Sequence, residues 1–497
     1  MNKTQKLFTI VLLILLAIFA CQKINLITAD LGRHLKNGEL VFKDTKVLFT
    51  NYYSYTQQDF PVVNHHWLSG LIFYHIYDLT GFFGLHLFFL GLLLLSVYII
   101  IISSENKYAG LIGLIITLPL LTYRKEIRPE IFSLFFFSVY LLIIKLLKQD
   151  RISDKKFLLI ITITQIIWVN LHIFYIFGII LVFFSLIDEL INNKKKTKTL
   201  FLSLILISFG CLINPNFLKG ALQPFTIFHN YNYKVAENQT LLFAIKRLQS
   251  PIYGYSLILS LFTAFIYLKQ LKQIKLRCLF YDLIMIFFLL LSLKYIRTLN
   301  FLGLALILFF SLRFKTINKG EFYGYLTILT TLIFVSLPFS SIFNPVSNPY
   351  FGLGADTKAL ESANFFRQNN LKGPVFNNYD IGGYLIFTLS DKEKVFIDNR
   401  PEAYPSEFFE HNYIKPQQQE QNWKNLDKKY NFNIIYFYRL DQTEWAQPFL
   451  IRRIQDPNWQ AVYVDEFTLI LIKNNKDNQK IIQQYKLPNE IFKISSE

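Results

Sequence analysis

Three ionisable side chains stand close together at the start of a polar segment that follows the first apolar run: Asp30, Arg33 and His34. Thr28–Gly38 reads as a short helix that Thr28 caps and Gly38 ends, so these residues fall at i, i+3 and i+4 and share one face. A carboxylate flanked by two cation-capable groups can take a proton from an attacking hydroxyl while its neighbours hold an anionic leaving group. The same spacing also suits a surface helix with an ordinary ion pair. A second cluster, Asn64, His65 and His66, precedes Trp67 and an aromatic amphipathic stretch, Ile72–Tyr77, suited to a membrane interface. Adjacent histidines diverge on any regular element, which favours an interfacial polar cap or a phosphate contact over one shared metal.

Further candidates sit at the ends of apolar spans. Arg124, Arg128 and Glu130 follow a short span, Tyr108–Thr122, of about 15 residues or roughly 22 Å of helix. A charge buried at mid-bilayer costs about 2.5–3.5 kcal/mol on insertion scales, a cost removed either by a water-filled cavity or by snorkelling in an interfacial loop. Asn170 and His172 fall at a turn within Trp168–His172, and Arg297 lies near Lys294 at another span end. Each suits an anion contact or a hydrogen-bonded structural role.

The elements that must position these groups are mostly membrane helices. The 497 residues are 53% hydrophobic, and apolar runs approach the roughly 20 residues needed to cross a bilayer. Spans are readable at Leu7–Ile27, Phe82–Ile102, Tyr108–Thr122, Pro129–Leu147, Phe157–Leu171, His172–Ile191, Leu200–Ile213, Tyr253–Leu268, Cys278–Leu293, Thr298–Leu312 and Phe322–Phe343. The expectation is a polytopic α-helical membrane protein of about eleven transmembrane helices. The first run lacks a small-residue cleavage site and reads as an uncleaved helix.

Net charge is +17, but residues 344–497 carry 18 Lys+Arg against 19 Asp+Glu, whereas residues 1–343 carry 33 against 15. The excess sits in short loops such as Lys148–Lys156, Lys194–Lys198, Lys269–Arg277 and Arg313–Lys319, a topology signal rather than a nucleic-acid-binding stripe. These loops place the N-terminus in the cytoplasm and, with an odd number of helices, the C-terminal part outside. The polar segment 28–81 is then an outer loop of a domain covering 1–343. Three cysteines, Cys21, Cys211 and Cys278, give neither a disulfide framework nor a zinc pattern.

From residue 344 onward short strands alternate with polar helices, giving a soluble α/β domain over 344–497. Strands are expected at Gly373–Asn377, Lys394–Asp398, Asn433–Tyr438, Ala461–Val464 and Thr468–Ile472, with helices near Asp356–Asn369, Ile381–Leu389 and Gln421–Tyr430. Asp380-Ile-Gly-Gly-Tyr384 and Asp398-Asn-Arg400 follow strands, where ligands often bind in α/β sheets, but Gly382-Gly383 is too little for a phosphate loop. Fold-maintaining turns are the other reading of both.

An inside N-terminus, a long first outer loop opening with Asp30 and an outer α/β domain together resemble the GT-C superfamily of integral membrane glycosyltransferases, and its bacterial members related to protein mannosyltransferases and aminoarabinose transferases in particular. Asp30–Gly38, Asn64-His-His-Trp-Leu-Ser69, Trp168-Val-Asn-Leu-His172, Gly382-Gly-Tyr384 and Phe396-Ile-Asp-Asn-Arg400 look like stretches recurring in such proteins. The resemblance implies transfer of a sugar from a polyprenyl-phosphate donor to a lipid, glycan or protein acceptor on the outer face of the cytoplasmic membrane. Asp30 would be the catalytic base; Arg33, His34, Arg124 and Arg128 would hold the donor phosphate, and Asn64, His65, His66, Glu130, Asn170, His172 and Arg297 would be further substrate contacts. Leu31 stands where protein mannosyltransferases carry the second acid of an Asp-Glu pair, and the loop has no D-x-D, so a divalent metal has no motif here. A transporter or flippase of lipid-linked sugars and a non-catalytic envelope-assembly subunit are the alternatives.

Overall fold

The computed structural model describes residues 1–227, 233, 235–270, 279–336 and 350–492. Residues 271–277 of one basic loop, Cys278, the end of the last expected span and the expected boundary at 343/344 lie outside these. The chain divides into two compact units. One comprises Met1–Lys23, Gly84–Pro224 and Lys234–Leu353; the other comprises Ile24–Phe83, Phe225–Tyr233 and Gly354–Glu497.

The first unit is helical. Among the described residues, six helices of the chain are long and apolar enough to cross a membrane: Lys3–Ala20, Trp67–Ser103, Glu130–Lys148, Ile173–Asn192, Pro251–Gln270 and Ile296–Arg313. Lys107–Leu121 and Thr197–Gly210 are shorter apolar helices. Lys107–Leu121 and Leu299–Arg313 are apolar all round and bury almost every residue, as expected of helices at the centre of a bundle. Small residues let their backbones approach: a Cβ on Gly113 would lie 3.2 Å from Ile307 Cα, and one on Gly303 would lie 3.0 Å from a Leu121 methyl.

Two sequence readings reappear as breaks. Trp67–Ser103 is interrupted at Gly81, whose φ of +65° is the left-handed region that glycine enters without a Cβ penalty. The amphipathic stretch 72–77 therefore lies on a separate segment from the apolar run that follows. Asp154–Leu171 stops at His172, which is extended and caps a short 3-10 turn before Ile176–Asn192. The connection between the expected spans Leu200–Ile213 and Tyr253–Leu268 contains two helices that the sequence did not announce, Phe217–Thr226 and Leu241–Arg247.

The second unit is built on a four-stranded sheet: β1 (Val375–Asn377), β2 (Ile434–Tyr438), β3 (Trp459–Val464) and β4 (Thr468–Lys473), ordered β1-β2-β4-β3. β1 and β2 are parallel, whereas β2–β4 and β4–β3 are antiparallel, with a bulge between Ala461 and Tyr463. β2 and β4 are buried along nearly their whole length, so they are covered on both faces, and their unbroken apolar runs fit that position. Phe376, Trp423, Phe432, Phe437 and Phe449 form an aromatic core, with Trp423 stacked on Phe432 at 5.5 Å between centroids.

Lys394–Asp398, expected as a strand, joins no sheet. Val395 instead exchanges backbone hydrogen bonds with Tyr53 and Tyr55, at 3.1 and 3.2 Å, so its partners come from the polar segment after the first helix. That segment is bound to the C-terminal residues elsewhere too: Asn51 Nδ2 donates to Ala403 O at 2.8 Å, and Tyr55 Oη donates to Val375 O at 3.0 Å.

The expected helix Thr28–Gly38 is shifted. It runs from Leu31 to Leu40, with Asp30 rather than Thr28 at its N-cap. Gly38 lies inside it and does not end it. The reason is packing: a Cβ on Gly38 would lie 2.1 Å from Gly70 O, so this position serves the close crossing of two helices.

Candidate functional site

The candidate residues form two groups, one in each unit. In the second unit, Asp30 makes no side-chain cap to its own helix. Its Oδ1 instead accepts a hydrogen bond from Asn399 Nδ2, while Asn399 Oδ1 accepts from Arg33 Nε at 3.2 Å. A guanidinium can only donate, which fixes the amide with its oxygen toward Arg33 and its NH2 toward Asp30. Arg33 and His34 are both buried, at 5% and 1% exposure, so neither is a freely extended surface side chain. His34 stands edge-on to His66 at 5.2 Å, and His66 lies against His65 at 3.9 Å, giving three neighbouring imidazoles. Among the described residues, no group of three His, Cys, Asp or Glu has the geometry to hold a metal ion. Asn64 serves the loop itself, donating from Nδ2 to Val47 O at 3.2 Å.

Two carboxylates, Asp380 of the Asp380-Ile-Gly-Gly-Tyr384 stretch and Asp441, to which the sequence did not point, lie beyond the ends of β1 and β2 in the same unit. Asp441 is buried, accepts from Asn378 Nδ2 at 2.9 Å and from Thr443 N at 2.9 Å. Asp380 is pushed up to about 7, first by burial and then by the Asp441 and Asp30 carboxylates. Asp380 thus lies near both Asp441 and Asp30, beyond the ends of two adjacent strands.

In the first unit, Arg124, Arg128 and Arg297 converge on one carboxylate, Glu237. Arg124 Nη2 and Arg128 Nη1 reach its Oε2 at 2.6 and 2.9 Å, and Arg297 Nη1 lies 3.8 Å from Oε1. Arg124 also donates to Glu130 Oε2 at 2.9 Å, and Arg128 Nε to Glu126 Oε2 at 2.7 Å. Arg297 is further fixed by Asn238 Oδ1 at 3.2 Å and by the face of Phe174 at 4.9 Å. Burial pushes the Glu237 carboxyl up, but Arg124, Arg128 and Arg297 outweigh it and hold the group well below the usual carboxylate range.

Arg124, Glu126, Arg128, Glu130 and Asn300 line a narrow crevice whose opposite wall is apolar, formed by Phe89, Leu93, Leu121, Ile131 and Leu134. Its open volume of about 20 Å³ takes little more than one water. Glu130 Oε1 and Asn300 Oδ1 are buried with no hydrogen-bond partner among the described residues.

His172 and Asn170 serve mainly to build the turn. His172 Nδ1 pairs with Ser133 Oγ at 2.8 Å, which also accepts from Trp168 Nε1 at 2.7 Å. Asn170 Nδ2 donates to Ile166 O and Ile213 O, both at 2.8 Å. His172 still touches the arginine group indirectly, since its ring is edge-on to Phe174 at 4.7 Å.

Glu237 is not legible in the sequence because its arginine partners lie far from it along the chain, and Asn399 is not because Asp398-Asn-Arg400 equally suits a turn. The one available signal for Glu237 was charge balance: three arginines at helix ends require nearby anions.

No family model matches the sequence, and a search of curated proteins finds no match. Among solved structures, the chain is similar to the oligosaccharyltransferase of Archaeoglobus fulgidus tethered to an acceptor peptide with an NVT sequon. The TM-score is 0.61 at 10% identity, over 95% of this chain and 74% of that one. It is also similar to ArnT from Cupriavidus metallidurans, at TM-score 0.59 and 10% identity in the apo state, over 97% of this chain and 98% of that one. With ArnT bound to undecaprenyl phosphate the values are 0.58 and 10%, over 95% and 98%. The chain thus shares the overall fold of these solved structures.

Proposed function

We propose that this protein is a membrane glycosyltransferase that moves a sugar from a polyprenyl-phosphate donor to an acceptor hydroxyl. In this reading the N-terminus is cytoplasmic, about eleven helices cross the cytoplasmic membrane, and residues 344–497 form an extracytoplasmic domain. The observation that carries the reading is the convergence of Arg124, Arg128 and Arg297 on a single carboxylate beside an apolar-walled crevice. Three guanidiniums aimed at one pair of oxygens suit a phosphate, and an apolar wall suits an isoprenoid chain. The fold adds weight, since one neighbour of the same fold is a complex with undecaprenyl phosphate.

The step is an inverting displacement. Asp30 takes the proton of the acceptor hydroxyl as that oxygen bonds to the anomeric carbon. The bond from that carbon to the phosphate oxygen breaks, its electrons stay with the phosphate, and polyprenyl phosphate leaves. Arg124, Arg128 and Arg297 stabilise the negative charge that the departing phosphate gathers. Arg33 and His34 are further contacts for the donor phosphate, and His65 and His66 are substrate contacts.

The test uses purified full-length protein with polyprenyl-phosphate glucose or mannose and a membrane lipid extract as acceptor, reading release of polyprenyl phosphate. Asp30→Asn should stay folded and lose transfer by about 10²–10⁴-fold, the range for a general base. Full activity in that variant sinks the assignment of the base. A transporter would move the donor across a vesicle membrane without releasing polyprenyl phosphate, so the same assay separates the two readings.

A further inference from the structure

We infer that Asn399 is the positioning residue for Asp30, and that the Gly382-Gly383 pair exists to let it reach. This rests on the reading of Asp30 as the base. Asn399 sits between a carboxylate and a guanidinium, donating to Asp30 and accepting from Arg33. Direct contact with Arg33 would orient Asp30 equally well, but a full positive charge would stabilise the ionised carboxylate and weaken it as a proton acceptor. The neutral amide transmits the orientation without that charge.

The amide is itself held on a rigid support. Its neighbours Asp398 and Arg400 point into a buried network, where Arg400 Nε and Nη2 donate to both Asp398 oxygens at 2.8 and 2.7 Å. Arg400 Nη2 also donates to Asn51 Oδ1 at 2.8 Å, and Tyr404 Oη donates to Asp398 Oδ2 at 3.1 Å. Asp398 and Arg400 are 0% and 4% exposed, so the backbone on either side of Asn399 is locked.

The glycines explain how three segments meet there. A Cβ on Gly382 would lie 2.4 Å from Asp398 Cα, and one on Gly383 would lie 3.1 Å from Asn399 Nδ2 and 3.3 Å from Ala29 O. A Cβ on Gly32 would lie 2.8 Å from Gly383 O. The sequence Gly382-Gly383 thus brings the helix Gly382–Leu389 against both the Asp30 helix and the 397–399 segment, a packing role rather than a phosphate loop.

The experiment compares Asn399→Asp, Asn399→Leu, Asp30→Asn and the Asp30→Asn/Asn399→Asp double variant in the full chain. Asn399→Asp keeps the shape and the bond accepted from Arg33 but cannot donate to Asp30. Both Asn399 variants should lose about 10–100-fold in kcat with the donor KM within twofold and the melting temperature unchanged. In the Asp30→Asn background, Asn399→Asp should cost nothing further, because the group it positions is gone. Wild-type kcat in both Asn399 variants, alongside an inactive Asp30→Asn, overturns the positioning role while leaving the base in place. A loss that appears in KM or melting temperature instead of kcat, or that adds fully to Asp30→Asn, also overturns it. A fully active Asp30→Asn, or a wild-type protein that releases no polyprenyl phosphate, removes the base and this inference together.

Discussion

Replacing Glu237 with Gln tests whether the arginine cluster is an anion site that the protein fills with its own carboxylate. In the intact cluster Arg124, Arg128 and Arg297 face Glu126, Glu130 and Glu237, so the charges balance. The variant leaves the cluster one negative charge short. Stripping one partner from a fully buried pair costs about 3–5 kcal/mol. The Glu237 side chain is 25% exposed and Glu126 and Glu130 remain, so about 2 kcal/mol is the appropriate figure. At about 2 °C per kcal/mol for a unit of this size, melting should fall by about 4 °C. An anion that occupies the vacated position restores stability by RT ln(1 + [L]/Kd), about 2.7 kcal/mol at a hundredfold excess over Kd. Melting curves of both proteins are therefore recorded with and without short-chain polyprenyl phosphate and with inorganic phosphate. The variant should gain more than the wild type from the lipid phosphate, because no internal carboxylate competes. The sign with pH follows from the depressed carboxyl: its contribution is fully present above the ordinary glutamate range and is lost only as pH falls through its lowered value in strong acid. Equal gains in the two proteins, or an unchanged melting point in Glu237→Gln, refute the reasoning.

Two further outcomes concern the second unit. Arg400→Ala should destabilise by about 3–5 kcal/mol, because Asp398 is fully buried and would lose the two hydrogen bonds that Arg400 donates to it; thermal melting of the full chain reads this, and a loss under 1 kcal/mol contradicts it. Asp380→Asn should raise stability at pH 8 and remove the decline expected of the wild type as pH rises toward 7. A carboxyl held up to about 7 keeps its proton in the folded state over a range where the unfolded chain has lost it, so folding weakens through that window. An identical pH dependence in the variant refutes it.

What the sequence disclosed and what it hid divide along chain separation. The break at His172 and the interruption at Gly81 were visible because each depends on residues within a few positions: a polar turn inside an apolar run, and a glycine between an amphipathic stretch and an apolar one. β2 and β4 were visible for the same local reason, unbroken β-branched and aromatic runs. The contacts that define the candidate sites are not local. Arg124 meets Glu237 across 113 positions and Asp30 meets Asn399 across 369, so no periodicity or motif could pair them.

The segment 394–400 shows how a reading can be right in conformation and wrong in partner. Its alternation of side chains is that of an extended chain, in which successive residues face opposite ways. Val395 pairs with Tyr53 and Tyr55 rather than with a neighbouring strand, so the expected sheet membership fails. The extended geometry nevertheless survives, with Arg400 at φ −120° and ψ 93°. That alternation turns Asp398 and Arg400 inward and leaves Asn399 facing the opposite way, toward Asp30. A helical or tightly turned segment would place residues 398 and 400 on different sides and could not anchor Asn399 from both neighbours at once. The property the candidate site uses is the period of two, and it is available without a sheet because the backbone partners come from the polar segment that carries Asp30.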